Sequence, residues 1–204
     1  MNKLDNLFGK TNINWKKVII MAILCGIITG LLLCVPFLNG TSIQNIGVCM
    51  EAWVFLALII ILNSEKPLEA ALKTFVFFLI SQPLVYLVQV PFSWLHWQIF
   101  MYYKRWFIIT LLTIPGGFIA WYTKKGNILS VLILAVADAL LMFLEFPSHL
   151  LTLTLHFPHQ IIALCFILAS SAYYTLHLIK DKKLRILSFA IKLVFLAAGI
   201  FYNI

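Results

Sequence analysis

Long, nearly uninterrupted runs of apolar residues are the feature that most restricts how this chain can fold. Seven runs follow one another along the sequence. Each is about long enough to cross a hydrocarbon layer of roughly 30 Å as a helix rising about 1.5 Å per residue. Because backbone polar groups that face lipid must be satisfied within their own segment, the runs predict helices. Their approximate bounds are 17–38, 46–63, 67–90, 106–123, 127–146, 159–179 and 186–203.

The composition favours a membrane protein over a soluble one. Hydrophobic residues make up 63% of the 204 residues and charged residues only 11%, whereas soluble domains carry about 25% charged residues. We predict an all-α integral membrane protein, a polytopic bundle of about seven transmembrane helices without a soluble domain, forming a single transmembrane domain over 1–204. The seventh run is among the shortest and contains Lys192, so six spans are the alternative.

Basic residues are distributed unevenly between the predicted loops. Twelve of the 15 Lys and Arg residues fall on the side of the N-terminal tail, whereas Lys104 and Arg105 fall on the other side and Lys192 lies within a span. Such an excess of Lys and Arg is typical of cytoplasmic loops. We therefore predict a multi-pass protein of the cell membrane with a cytoplasmic N-terminus and, for seven spans, an outer C-terminus. Topology explains the net charge of +8, and no nucleic-acid partner is expected.

Charged side chains inside the apolar runs are the candidate functional residues. Asp138 lies near the middle of the fifth run and Glu145 near its end, on one helical face. Glu51 lies near the outer end of the second run, and Lys192 lies in the seventh. Because charge is costly in the membrane, such groups usually face the protein interior and have a partner. We expect these four residues to form a substrate-binding site in the outer half of the membrane. A purely structural Asp138–Lys192 pair is the alternative.

Two further patterns bear on this site. Ser170, Tyr174 and His177 share one face of the sixth run, and this polar stripe would join the acids in a common interior. Pro115 is followed by two glycines, which predicts a kink or a partly unwound turn in the fourth helix.

Small residues and one charge pair predict helix contacts. Ala22, Gly26 and Gly30 repeat at every fourth position of the first run, a spacing that lets helix backbones approach closely. The stripe fits either packing inside the chain or docking to another membrane subunit. Glu69 and Lys73 are four residues apart at the start of the third helix and predict a surface ion pair.

Histidines collect near the end of the fifth run and the start of the sixth. His149, His156 and His159 are the candidate metal ligands, near Glu145. A zinc site needs three or four well-placed ligands, and prolines at 147 and 158 disfavour the continuous helix that would align these side chains. We therefore predict neither a metal nor another cofactor.

The leading functional prediction is a small-solute transporter or the substrate-binding subunit of a transporter, with the lipid bilayer and a small-molecule solute as partners. A membrane-embedded enzyme acting at the outer face and a non-catalytic interaction or sensor protein are the alternatives. The enzyme is less favoured because no G-x-S-x-G, Walker A or glycine-rich dinucleotide motif occurs.

Overall fold

The computed structural model describes residues 13–155, 161–179 and 181–203, with the side chains of 144–155, 177–178 and 202–203 excepted. Most of these residues lie in helices, and none of them lies in a strand. Short 3-10 helices cover Pro36–Leu38 and His96–Met101. The α-helices are α1 Trp15–Cys34, α2 Ser42–Val48, α3 Met50–Leu62, α4 Pro67–Gln89, α5 Tyr103–Thr123, α6 Ile128–Leu155, α7 Ile161–Leu178 and α8 Lys182–Asn203.

Several of these helices are long and apolar enough to cross a membrane, as a membrane protein requires. Among the described residues there are four such segments, Trp15–Cys34, Pro67–Gln89, His96–Thr123 and Lys182–Phe201. A fifth arises if α2 and α3, which meet at a bend of 56°, count as one broken span. The described apolar parts of α6 and α7 are shorter, so a total of seven crossings stays a prediction.

The second predicted segment, 46–63, is two helices and not one. The backbone at Cys49 is extended, with φ −67° and ψ 143°, and this conformation ends α2 before α3 begins at Met50. At the other end of α2, the Thr41 hydroxyl accepts a hydrogen bond from the Gln44 amide at 3.5 Å, which caps the helix.

The chain divides into two compact units. Unit 1 comprises residues 13–39 and 56–121 of the described chain, and unit 2 comprises 40–55 and the described residues after 121. Each unit is described separately below. The single membrane domain expected over 1–204 stays a prediction.

In unit 1, α1 packs along α4 through the small residues of its stripe. Ala22, Gly26 and Gly30 are buried. A Cβ added at Gly26 would lie 2.7 Å from the carbonyl oxygen of Ser81, and one at Gly30 would lie 2.7 Å from the Cβ of Val88. The stripe is therefore occupied by α4, and packing inside the chain accounts for it. Docking of another membrane subunit there stays a prediction.

The predicted pair of Glu69 and Lys73 forms, but the expectation of a surface pair is wrong. Lys73 is buried, and its ammonium contacts Glu69 Oε1 at 2.5 Å and donates to the carbonyl of Ile13. The same Glu69 accepts hydrogen bonds from the Glu65 and Lys66 amides and so caps the start of α4. One carboxylate therefore anchors both the helix start and the lysine that holds the segment before α1.

Helix α5 is continuous through Pro115, so the expected unwinding at this position does not occur. Gly117 lies against α4, where an added Cβ would be 3.1 Å from the Cα of Ala71. Farther along α5, Trp121 Nε1 donates to the carbonyl of Ser64 at 3.0 Å. These contacts hold α5 within unit 1 and give Gly117 a packing role.

Unit 2 is built around α6, α7 and α8. Helices α6 and α8 lie side by side and run parallel. Their direction follows from two levels of contact: Asp138 pairs with Lys192, and Ala135 and Ser188, about one turn earlier in each helix, line the same cavity. Helix α7 ends shortly before α8 begins, packs on both α6 and α8, and runs antiparallel to them. Aromatic rings add to this core, since Phe55 makes edge contacts with rings of α7.

Candidate polar site in unit 2

A buried ion pair joins α6 to α8. Asp138 and Lys192 are 4% and 5% exposed, and the Lys192 ammonium contacts Asp138 Oδ2 directly. Each residue lies ten positions after the first residue of its helix, and the parallel packing brings the two to the same level. The predicted pairing of Asp138 with Lys192 is thus present in the structure.

Helix α7 supplies the remaining contacts of the pair. Ser171 Oγ donates to Asp138 Oδ2 at 2.8 Å. The Lys192 ammonium donates to the Ser171 carbonyl at 3.0 Å and to Thr175 Oγ1 at 2.5 Å. The Thr175 hydroxyl in turn donates to the Ser171 carbonyl at 3.1 Å. Both charges are therefore hydrogen-bonded as well as paired, which is the condition under which buried charges are tolerated.

A small cavity adjoins the pair. Within the described part of the chain, Asp138 Oδ1 and Ser188 Oγ are buried and have no hydrogen-bond partner. The cavity has a volume of about 10 Å³, which is near the lower limit for one water molecule. Its lining comprises Leu134, Ala135, Asp138, Tyr174, Thr175, Ile179, Ser188 and Lys192. We call Asp138, Ser171, Thr175, Ser188 and Lys192 the Asp138–Lys192 cluster.

Glu51 is connected to this region through Tyr174. The Tyr174 hydroxyl donates to the Glu51 backbone carbonyl at 3.1 Å, and Tyr174 also lines the cavity beside Asp138. Glu51 itself is fully buried at the start of α3. The structure thus brings three predicted site residues, Glu51, Asp138 and Lys192, into one unit, with Tyr174 touching the Glu51 backbone and the cavity.

The side chains of the other predicted site residues are not among those described. Glu145 and His149 belong to α6, but their side chains lie outside the described residues, as do His156 and His159 altogether. Across the described side chains, no group of three or more His, Cys, Asp or Glu residues is positioned to hold a metal ion. That no metal binds at the three histidines therefore stays a prediction.

Sequence reasoning missed Ser171 and Thr175. It selected the neighbouring face with Ser170 and Tyr174, and these two residues are also buried. Their spacing could have identified them, because two hydroxyl residues four positions apart in an apolar helix lie on the same face, about one turn apart. A buried lysine predicted nearby would have needed such acceptors.

A larger cavity lies in unit 1, at the ends of α1 and α4. Its volume is about 250 Å³, slightly below the range of about 300–1,000 Å³ that is typical of ligand sites. Its lining comprises Leu33, Cys34, Pro36, Asn39, Gln89, Phe92 and Ser93, so polar groups are present but no Asp, Glu, His, Lys or Arg is among these residues. Sequence reasoning did not select this region.

The Asp138–Lys192 cluster can hold a positive charge, a proton or a water molecule inside an apolar helix bundle. Comparisons with known proteins add no further indication: no protein-family model, no curated protein and no solved structure matches this chain.

Proposed function

We propose that this chain is a small multi-pass membrane protein that transports a small solute, alone or as the substrate-binding subunit of a transporter. The observation that carries the proposal is the buried Asp138–Lys192 pair with its hydroxyl partners. Ionisable groups within membrane helices are rare because their insertion is costly, and they commonly mark solute or ion pathways.

The size of the adjoining cavity refines the role of the pair. Since that cavity has room for about one water molecule, the pair suits a coupling or gating step better than contact with a large solute. The cavity of about 250 Å³ in unit 1 offers room for a small polar solute. Glu51 and Glu145, predicted with the pair as substrate-binding residues, belong to the same proposal.

The proposed topology has seven crossings in the cell membrane, with the N-terminus in the cytoplasm and the C-terminus outside. It is supported by the uneven distribution of Lys and Arg and by a helix in each of the seven apolar segments. Reporter fusions within 124–126 and after Ile204 test it. The first should report a cytoplasmic location and the second an outer one. A cytoplasmic reporter after Ile204 would contradict the crossing of α8.

Transport is tested with purified protein in two steps. A thermal-shift screen of small polar and charged solutes identifies a ligand, and uptake of that ligand is then measured in proteoliposomes. Wild-type protein should accumulate the solute, whereas Asp138→Asn should not. The matched control is Asp181→Asn, which makes the same chemical change at an exposed helix cap where Asn is an equally good capping residue; it should transport normally.

A double variant separates function from stability. Asp138→Asn combined with Lys192→Met removes both charges and should fold, yet it should not transport if the pair has a role in uptake. Uptake by this variant at the wild-type rate would show that the pair is only structural. The alternative of an enzyme at the outer face depends on Glu145 and the histidines, whose side chains lie outside the described residues.

A further inference from the structure

We propose that the oxygen atoms around the Lys192 ammonium form a binding site for a monovalent cation, and that the ammonium occupies this site as a covalently attached substitute. The inference goes beyond the proposed transport function and stands without it, because it concerns equilibrium binding to one unit of the protein.

The ligand chemistry around Lys192 is that of a hard-cation site. Its ammonium contacts a carboxylate oxygen of Asp138, the backbone carbonyl oxygen of Ser171 at 3.0 Å and the hydroxyl oxygen of Thr175 at 2.5 Å. Carboxylate, carbonyl and hydroxyl oxygens are the groups that hold hard cations in proteins, including cations bound within membrane helices. The three N–H donors of the ammonium each meet one of these oxygens, so a cation that took the place of the ammonium would find the same three oxygens around it.

Two further oxygens lie at the edge of this arrangement. Asp138 Oδ1 and Ser188 Oγ are buried without a hydrogen-bond partner among the described residues, and both side chains line the cavity beside Lys192. If the lysine stem were removed, its volume would join the cavity. The enlarged space would then expose carboxylate, hydroxyl and carbonyl oxygens to a bound ion and one or more waters.

The charge of the site selects a monovalent ion. Asp138 is the one acidic residue among the described residues that line the cavity, so a single positive charge neutralises the site. A divalent ion such as Ca²⁺ prefers six to eight oxygen ligands, usually with several carboxylates. While Lys192 keeps its ammonium in place, the wild-type site should bind no added cation.

The test is a cation-dependent thermal unfolding measurement on detergent-purified Lys192→Ala. The midpoint should rise with the concentration of at least one of Na⁺, K⁺ or Li⁺, compared with N-methyl-D-glucamine at the same ionic strength. At a cation concentration about one hundred times the Kd, binding should lower the unfolding equilibrium constant about 100-fold. Wild-type protein should show no such dependence.

The matched control is Asp138→Asn with Lys192→Ala, which keeps the enlarged space but removes the charged ligand. It should not respond to alkali cations. Equal midpoints of Lys192→Ala in all the chlorides, or an equal rise in the double variant, would overturn the proposal.

Lys192→Ser provides a second variant in case Lys192→Ala does not fold. If neither variant can be purified as a monodisperse protein in any alkali chloride, the proposal also fails, because a bound cation would restore the missing charge. Because the readout is binding, an absence of solute transport in proteoliposomes would leave this result unaffected.

Discussion

Removing one charge of the Asp138–Lys192 pair should destabilise the protein strongly, and removing both should restore most of the loss. The two residues are 4% and 5% exposed, so either single variant leaves a charge in a poorly hydrated site. Breaking such a buried pair typically costs about 3–5 kcal/mol. For a chain of this length that corresponds to a drop of roughly 6–20 °C in the unfolding midpoint.

The contacts that remain in each single variant predict which of the two variants is less stable. In Asp138→Asn, the Lys192 ammonium keeps its bonds to the Ser171 carbonyl and to Thr175. In Lys192→Met, the Asp138 carboxylate keeps only its bond from Ser171 Oγ among the bonds described. Lys192→Met should therefore lower stability at least as much as Asp138→Asn.

Tryptophan fluorescence during thermal unfolding in detergent measures all three variants, and chemical denaturation of the same samples provides free energies. The coupling energy should be far above the scatter of about 0.3–0.5 kcal/mol seen for independent sites. Asp181→Asn and Lys182→Met, alone and together, make the same substitutions at exposed positions and should leave the midpoint unchanged. If the losses at 138 and 192 simply added, the two residues would not be partners and the reasoning would be refuted.

Two further substitutions test the helix contacts by the same unfolding measurement. Ser171→Ala should cost about 1–3 kcal/mol, because Asp138 loses its hydroxyl donor; Ser170→Ala, whose bonds to Ile167 and Tyr174 stay within α7, should cost less, and equal losses would contradict the assigned contact. Gly26→Ala should cost about 1–3 kcal/mol through overpacking, since its Cβ would lie 2.7 Å from the Ser81 carbonyl. A Cβ added at Gly116 would have no neighbouring atom within 4 Å, so Gly116→Ala should be neutral or stabilising. A loss of stability as large as that of Gly26→Ala would count against the packing explanation.

The helices and the candidate charge pair were predictable from the amino-acid sequence. Apolar runs bounded by polar loops predict segments that must be helical in lipid, and a helix lies in every predicted segment. Asp138 and Lys192 were identifiable because an isolated charge in an apolar run requires a partner. The small residues of the first run likewise predicted a close helix contact, which Gly26 makes with α4.

The neighbours that complete each contact became known from the packing of the folded chain. Ser171 and Thr175 contact the pair because α7 packs on both α6 and α8 at a particular rotation, which a helical period does not specify. The burial of Lys73 depended on the distant carbonyl of Ile13, and the bend at Cys49 depended on a local backbone conformation. Side-chain periodicity shows which residues share a face of a helix, but the rotation of each helix against its neighbours depends on how their surfaces pack.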